Sequence, residues 1–205
     1  MLMAVKGLPN IGLSCYINSV LQAFFHIKEF KEYITATDFM EKESFVYYFR
    51  CVFENLDKDI ANQSEKIKND EKENLLIIFS VFKSFCEKFQ ESRQDDANHF
   101  LTFLLNKLDV EIISNFKKIN QSSESNQFNM NIISVYSKDN GDSRSIEYKL
   151  EAVINHYGDT YSGHYTCIAN TEFSWILFND MEVKSVNEDS IISKANNLLF
   201  FKLSN

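Results

Sequence analysis

The chain has 205 residues, 44% of them hydrophobic and 24% charged, which is the composition of a globular domain able to bury a core without staples. A formal net charge of −8 argues against a nucleic-acid partner, since a polyanion would be repelled. The cysteines at 15, 51, 86 and 167 form no C-x-x-C pair, which argues against a zinc cluster, and their wide spacing points to reduced thiols in an intracellular setting.

The opening MLMAVKGL is too short an apolar stretch for a secretion signal. Glycine, proline and asparagine then crowd against Cys15 in GLPNIGLSCYINSVLQ, and a helical pattern starts at that thiol. Ile17, Val20, Leu21, Phe24 and Phe25 recur at three- and four-residue steps. FVYYFRCVFENL (Phe45 to Leu56) and NLLIIFSVFKSFCEKF (Asn74 to Phe89) keep the same period, which makes Cys51 and Cys86 expected core thiols. The apolar run from Leu75 to Phe82 is far too short to span a membrane. DKDIANQSEKIKNDEKE reads as a charged loop. DANHFLTFLLNKL predicts a further helix to about Leu108, with Asp95 or Asp96 as its N-cap, and KKINQSSESNQFN reads as a polar linker. Strands are expected beyond it. IISVYS, SIEYKLEAVI, HYTCIAN, SWILF and LLFFKL are short, aromatic or β-branched, and turns such as KDNGDS and YGDTYSG separate them. Helices first and an antiparallel sheet second make an α+β layout, with a cleft between the halves as the natural site.

A thiol at the first turn of a helix meets free backbone N–H groups and the positive end of the helix dipole, both of which favour the thiolate. A nucleophile also needs a base. His26 sits at helical spacing, His99 lies on the later helix, and His156 ends a strand. His164, in SGHY, differs: it follows Gly163 at the start of a strand, where a side chain is held rigidly and the glycine leaves room for another backbone. A catalytic imidazole needs a third group to fix its tautomer, and WILFND offers Asn179 and Asp180 at the end of the next strand. Spacing alone leaves a triad and a coincidence equally open.

GLPNIGLSCYINSVLQ closely resembles the cysteine box of the ubiquitin-specific proteases, and YKLEAVINHYGDTYSGHYTCIA with WILFNDMEV resembles their histidine box. RQDDANHFLTFLL is similar to the acidic Q-D-A-x-E-F-L segment between the boxes, and NNLLFFKLS to the last strand. Several segments in the family's order, from Gly7 onward, are far more specific than any one alone. The resemblance implies a papain-like cysteine peptidase, a helical thumb followed by an antiparallel palm, that cleaves after the C-terminal glycine of ubiquitin. By motif position Cys15 is the nucleophile, His164 the general base and later acid, and Asn179 the third triad member, with Asp180 as an assisting neighbour. Asn10 falls on the oxyanion-hole asparagine, donating together with the backbone N–H of Cys15. Gly163 and Tyr165 would line the channel for the Gly-Gly tail, and Asp96 would meet an arginine of that tail.

The chain also departs from the pattern. Leu13 stands where the family usually has asparagine or another small residue, and His99 replaces the glutamate of the acidic segment. The β-rich fingers of the family, often zinc-bearing, have only a cysteine-free stretch from Asp109 to Ser145 in their place. The expected organisation is one minimal catalytic domain over 1–205: helical thumb 1–108, reduced linker 109–145, and β-rich palm 146–205. No metal and no cofactor are expected. The expected partners are ubiquitin and ubiquitinated proteins, with a partner subunit to supply grip lost with the fingers, no nucleic acid and no membrane, in cytoplasm or nucleus. Two alternatives stand beside an active deubiquitinase: a degenerate member that binds ubiquitin without turnover, and a hydrolase of another ubiquitin-like modifier. Retention of both Cys15 and His164 favours activity.

Overall fold

Aromatic residues of four helices meet around Tyr16, and this cluster organises the helical half of the computed structural model, which describes residues 5–36, 44–57, 65–85, 95–119, 147–159, 162–171 and 173–204. The helices are α1 (Cys15–His26), α2 (Lys28–Ala36), α3 (Phe45–Leu56), α4 (Glu65–Phe85) and α5 (Ala97–Ile119). Every residue of α1 from Cys15 to Phe24 is buried, so α1 is the central helix and not an amphipathic surface one. Phe82 of α4 packs edge-on to Phe100 and Phe103 of α5 at 5.2 and 5.1 Å between centroids, and Tyr16 closes the group at 6.0 Å from Phe82. Each ring removed from water there contributes on the order of 2–3 kcal/mol.

The second half is a five-stranded sheet of β1 (Tyr148–Gly158), β2 (Gly163–Asn170), β3 (Trp175–Asn179), β4 (Glu182–Val186) and β5 (Asn196–Leu203). The order is β4-β3-β2-β1-β5, with every neighbouring pair antiparallel. One face of this sheet lies on α1, which contacts β2, β1 and β3 on that side and α5 and α2 on the other. The start of α1 is thereby held against the start of β2 and the end of β3.

Three elements differ from the sequence expectation. The helix α4 begins at Glu65, inside the stretch read as a charged loop. Glu and Lys are good helix formers and the stretch has no glycine or proline, so charge density alone does not stop a helix. The helix α5 runs past Leu108 to Ile119, since nothing between them breaks it. The strand β4 was not expected because EVKSV is too polar to read as a strand; a tight turn at Asp180–Met181 folds it back on β3. Cys86, the IISVYS strand and the KDNGDS turn lie outside the described residues. Among the described residues Cys15, Cys51 and Cys167 form no disulfide.

Candidate active site

The approach to Cys15 is a left-handed loop. Gly12 has φ +100° and Leu13 φ +52°, and α1 begins only after Ser14. The Asn10 side-chain oxygen draws this loop together by accepting from the Gly12 N–H at 3.0 Å, the Ser14 N–H at 3.4 Å and the Ser14 hydroxyl at 3.3 Å. A left-handed leucine costs on the order of 1 kcal/mol, whereas asparagine tolerates that conformation, which gives a physical reason for the small residue usual at this position.

His164 lies one residue into β2. Its Nε2 is 2.5 Å from Asn179 Oδ1 at the end of β3. The other end of the same amide fixes its orientation: Asn179 Nδ2 donates to Glu182 Oε2 at 3.2 Å, and a carboxylate only accepts. Asn179 therefore turns its oxygen to the imidazole, His164 donates through Nε2–H, and Nδ1 is left as the basic nitrogen.

Cys15 is buried at the first turn of α1, and its sulfur accepts from the backbone N–H of Tyr165, the residue after His164, and from those of Tyr16 and Cys15. Burial pushes the thiol up from its ordinary value, the Asp180 charge adds to that, and the N–H donors pull back without cancelling it. The expected stabilisation of a thiolate at a helix start is thus outweighed by desolvation. The resting group is a thiol that needs a base.

Asp180 does something other than assist His164. Its carboxylate accepts from Asn10 Nδ2 at 2.9 Å and from Asn18 Nδ2 at 2.7 Å, and its backbone oxygen accepts from the Leu8 N–H at 3.0 Å. Asp180 sits at φ +50° in the β3–β4 turn, so the segment before the nucleophile is bolted to that turn. Gly7 permits the close approach: a Cβ there would stand 2.2 Å from the Asp180 oxygen.

The two residues expected to line a tail channel take different parts. A Cβ on Gly163 would stand 2.2 Å from His156 Nε2, so the glycine admits the neighbouring strand's imidazole. The Tyr165 ring turns inward and stacks on His156 at 4.4 Å, and its hydroxyl donates to Asp96 Oδ2 at 3.0 Å. Only its backbone reaches Cys15. Asp96 is the N-cap of α5: its Oδ1 accepts from the Asn98 N–H at 2.8 Å and the His99 N–H at 3.3 Å, while the residue itself stays exposed. His99 pairs with Asp95 through Nδ1 at 3.1 Å.

Sequence reasoning did not single out Asn18, Gly7 or Glu182. Asn18 carried a readable signal, because Asn18, Ser19 and Gln22 are polar residues within an otherwise apolar helix. Such groups are buried only when something accepts or donates to them. Among the described residues no group of three or more His, Cys, Asp or Glu side chains is arranged to hold a metal ion. None of the described helices is long and apolar enough to cross a membrane.

A helical half against an antiparallel sheet, with Cys15 at a helix start and His164 at a strand start, is the papain-like α+β class. The family model for ubiquitin carboxyl-terminal hydrolase matches residues 6–131 and 111–201, and the chain belongs to that family. Ubiquitin carboxyl-terminal hydrolase 15 of Rattus norvegicus is 46% identical over 57 residues, 27% of this chain and 6% of the relative. A putative ubiquitin carboxyl-terminal hydrolase 11 of Arabidopsis thaliana is 42% identical over 65 residues, 31% of this chain and 7% of the relative. The matched stretch thus spans only a small fraction of these curated relatives. Among solved structures, the SAGA Ubp8/Sgf11/Sus1/Sgf73 DUB module bound to ubiquitin aldehyde aligns with TM-score 0.73 at 13% identity, covering 98% of this chain and 70% of that one. The Ubp8-Sgf11-Sgf73-Sus1 SAGA DUB module aligns with TM-score 0.69 at 15% identity, covering 98% and 68%. At these identities the likeness is one of fold.

Proposed function

We propose that the chain is a deubiquitinating thiol hydrolase that cleaves the peptide or isopeptide bond after the C-terminal glycine of ubiquitin. The observation that carries this reading is the His164–Asn179 bond, which leaves Nδ1 as the basic nitrogen of an imidazole whose next residue, Tyr165, meets the buried Cys15 sulfur through its backbone N–H. His164 Nδ1 takes the thiol proton as sulfur attacks the scissile carbonyl, then gives it to the leaving amine. Water hydrolyses the resulting acyl-enzyme by the same base. The Cys15 backbone N–H and the Asn10 amide serve the oxyanion, Asn10 having a second amide hydrogen beyond the one bound to Asp180. Asp180 acts in this scheme by aiming Asn10 and not by contacting His164. Asp96 offers its exposed carboxylate to an arginine of the tail, and the backbones at Gly163 and Tyr165 border the path of that tail. Residues 1–205 act as one catalytic unit.

A ubiquitin bearing a C-terminal electrophile tests the reading directly. The probe is expected to label the parent at Cys15 and to leave Cys15→Ser unlabelled, with intact folding of the variant seen by circular dichroism. A folded parent that resists the probe at high concentration would sink the activity and favour the degenerate, binding-only member.

A further inference from the structure

The carboxylate behind the Asn179 amide has no part in the scheme above. Glu182 opens β4 directly across the hairpin from Asn179, with which it is paired in register. Its Oε2 accepts from Asn179 Nδ2, and the opposite end of that amide accepts from His164 Nε2. An asparagine used as the third member of a triad has a weakness that an aspartate lacks. Its two ends are nearly the same shape, and a half-turn about the last side-chain bond presents an N–H₂ donor where the imidazole needs an acceptor. In the flipped state His164 would have to accept through Nε2, its proton would sit on Nδ1, and Nδ1 would no longer be the basic nitrogen. Something must choose between the two states. The β3–β4 turn holds a carboxylate on the Nδ2 side, and a carboxylate cannot donate.

We propose that Glu182 is a positioning residue that locks the Asn179 amide with Oδ1 toward His164 and so keeps the imidazole in its Nε2–H tautomer. It works through Asn179 and touches neither substrate nor reacting atoms. The competing explanation is an ordinary exposed hydrogen bond that merely tightens a hairpin, worth little to either fold or turnover. The two differ in what a substitution does. Glutamine can donate as well as accept and so no longer selects one end of the Asn179 amide, alanine removes the acceptor, and lysine replaces it with an obligate donor. A hairpin role is indifferent to that ranking, whereas the amide lock depends on it.

The inference rests on the thiol-hydrolase reading for its consequence but not for its geometry, and the experiment separates the two. Imidazole nitrogen chemical shifts of isotopically labelled protein report the His164 tautomer with no substrate present. The parent is expected to show the Nε2–H form, Glu182→Gln and Glu182→Ala mixtures, and Glu182→Lys mostly the Nδ1–H form. With a ubiquitin-amide substrate, kcat should fall severalfold in Glu182→Gln, about tenfold in Glu182→Ala and further in Glu182→Lys, KM staying within about twofold. Identical His164 tautomers in all four proteins would overturn the proposal whatever the kinetics. A parent without turnover, with the tautomer series as expected, would leave the lock standing and fail the hydrolase reading alone.

Discussion

His26 takes no part in the chemistry, yet it makes the molecule sensitive to acid. Its Nδ1 donates to the Gln22 carbonyl at 2.8 Å, and its ring lies 4.7 Å from that of Phe178. Burial pushes its pKa down from 6.5 to about 4. The unfolded chain therefore takes up a proton below pH 6.5 that the folded chain refuses until about pH 4. The neutral imidazole's contribution is complete above pH 6.5 and is lost as pH falls through that window, by about 3 kcal/mol at most for so half-buried a ring. Urea unfolding of the parent and of His26→Phe at pH 7.5 and pH 5 measures this: the parent should lose more stability than the variant. Equal losses would show that other groups govern the acid response. At this scale the sequence was informative about types and blind to wiring. The positions of Cys15 at a helix start, His164 at a strand start and Asn179 at a strand end were legible, because helix and strand periods locate them. That Asp180 turns to Asn10 and Asn18 was not, because adjacent Asn and Asp residues leave a strand end in directions set by the left-handed turn at Asp180.

Among the elements, the long α5 binds the helical half together by more than its apolar face. Ser44 caps its own helix α3 by accepting the Tyr47 N–H at 3.1 Å, and Glu111 of α5 reaches across to accept the Val46 N–H at 3.0 Å. Two otherwise open donors of the first turn are thereby met, one from within and one from a neighbour. Replacing Glu111 with alanine should cost about 1 kcal/mol, with glutamine costing roughly half as much since an acceptor remains. Guanidinium unfolding midpoints decide it, and a neutral Glu111→Ala would mean that the contact adds nothing. Glu111 lies beyond Leu108, in the stretch read from sequence as the start of a linker. That boundary was misplaced because the apolar pattern thins there while helix propensity does not, and propensity with a cross-helix cap is enough to carry the helix on. The strands β1, β2, β3 and β5 were legible from their β-branched and aromatic runs. The polar β4 was not, since its pairing comes from the hairpin turn and not from its own side chains.

For the whole molecule, the proposed function raises the question of how much of ubiquitin this fold can hold. The chain aligns along 98% of its length with a deubiquitinating-module subunit, yet covers 70% of that subunit. A grip weighted toward the flexible tail buries less surface than one that also takes the globular body, so fewer anchors offset the cost of association. Calorimetry with the Cys15→Ala protein is expected to give weak binding of free monoubiquitin, in the range of tens of micromolar or weaker, with a partner subunit or a second ubiquitin supplying the remainder. Submicromolar binding by the isolated chain would remove the need for either. The bolt between Asn10 and Asp180 bears on a different matter, the order in which the site comes into being. These residues stand 170 positions apart, so the loop before Cys15 is tied to a turn the chain makes much later. On the ribosome Cys15 emerges before the Tyr165 N–H that holds its sulfur and before the Asp180 carboxylate that gathers Asn10 and Asn18. Until the β3–β4 hairpin has been made, the segment ahead of Cys15 lacks its Asp180 partner, and the site is assembled only when that hairpin arrives.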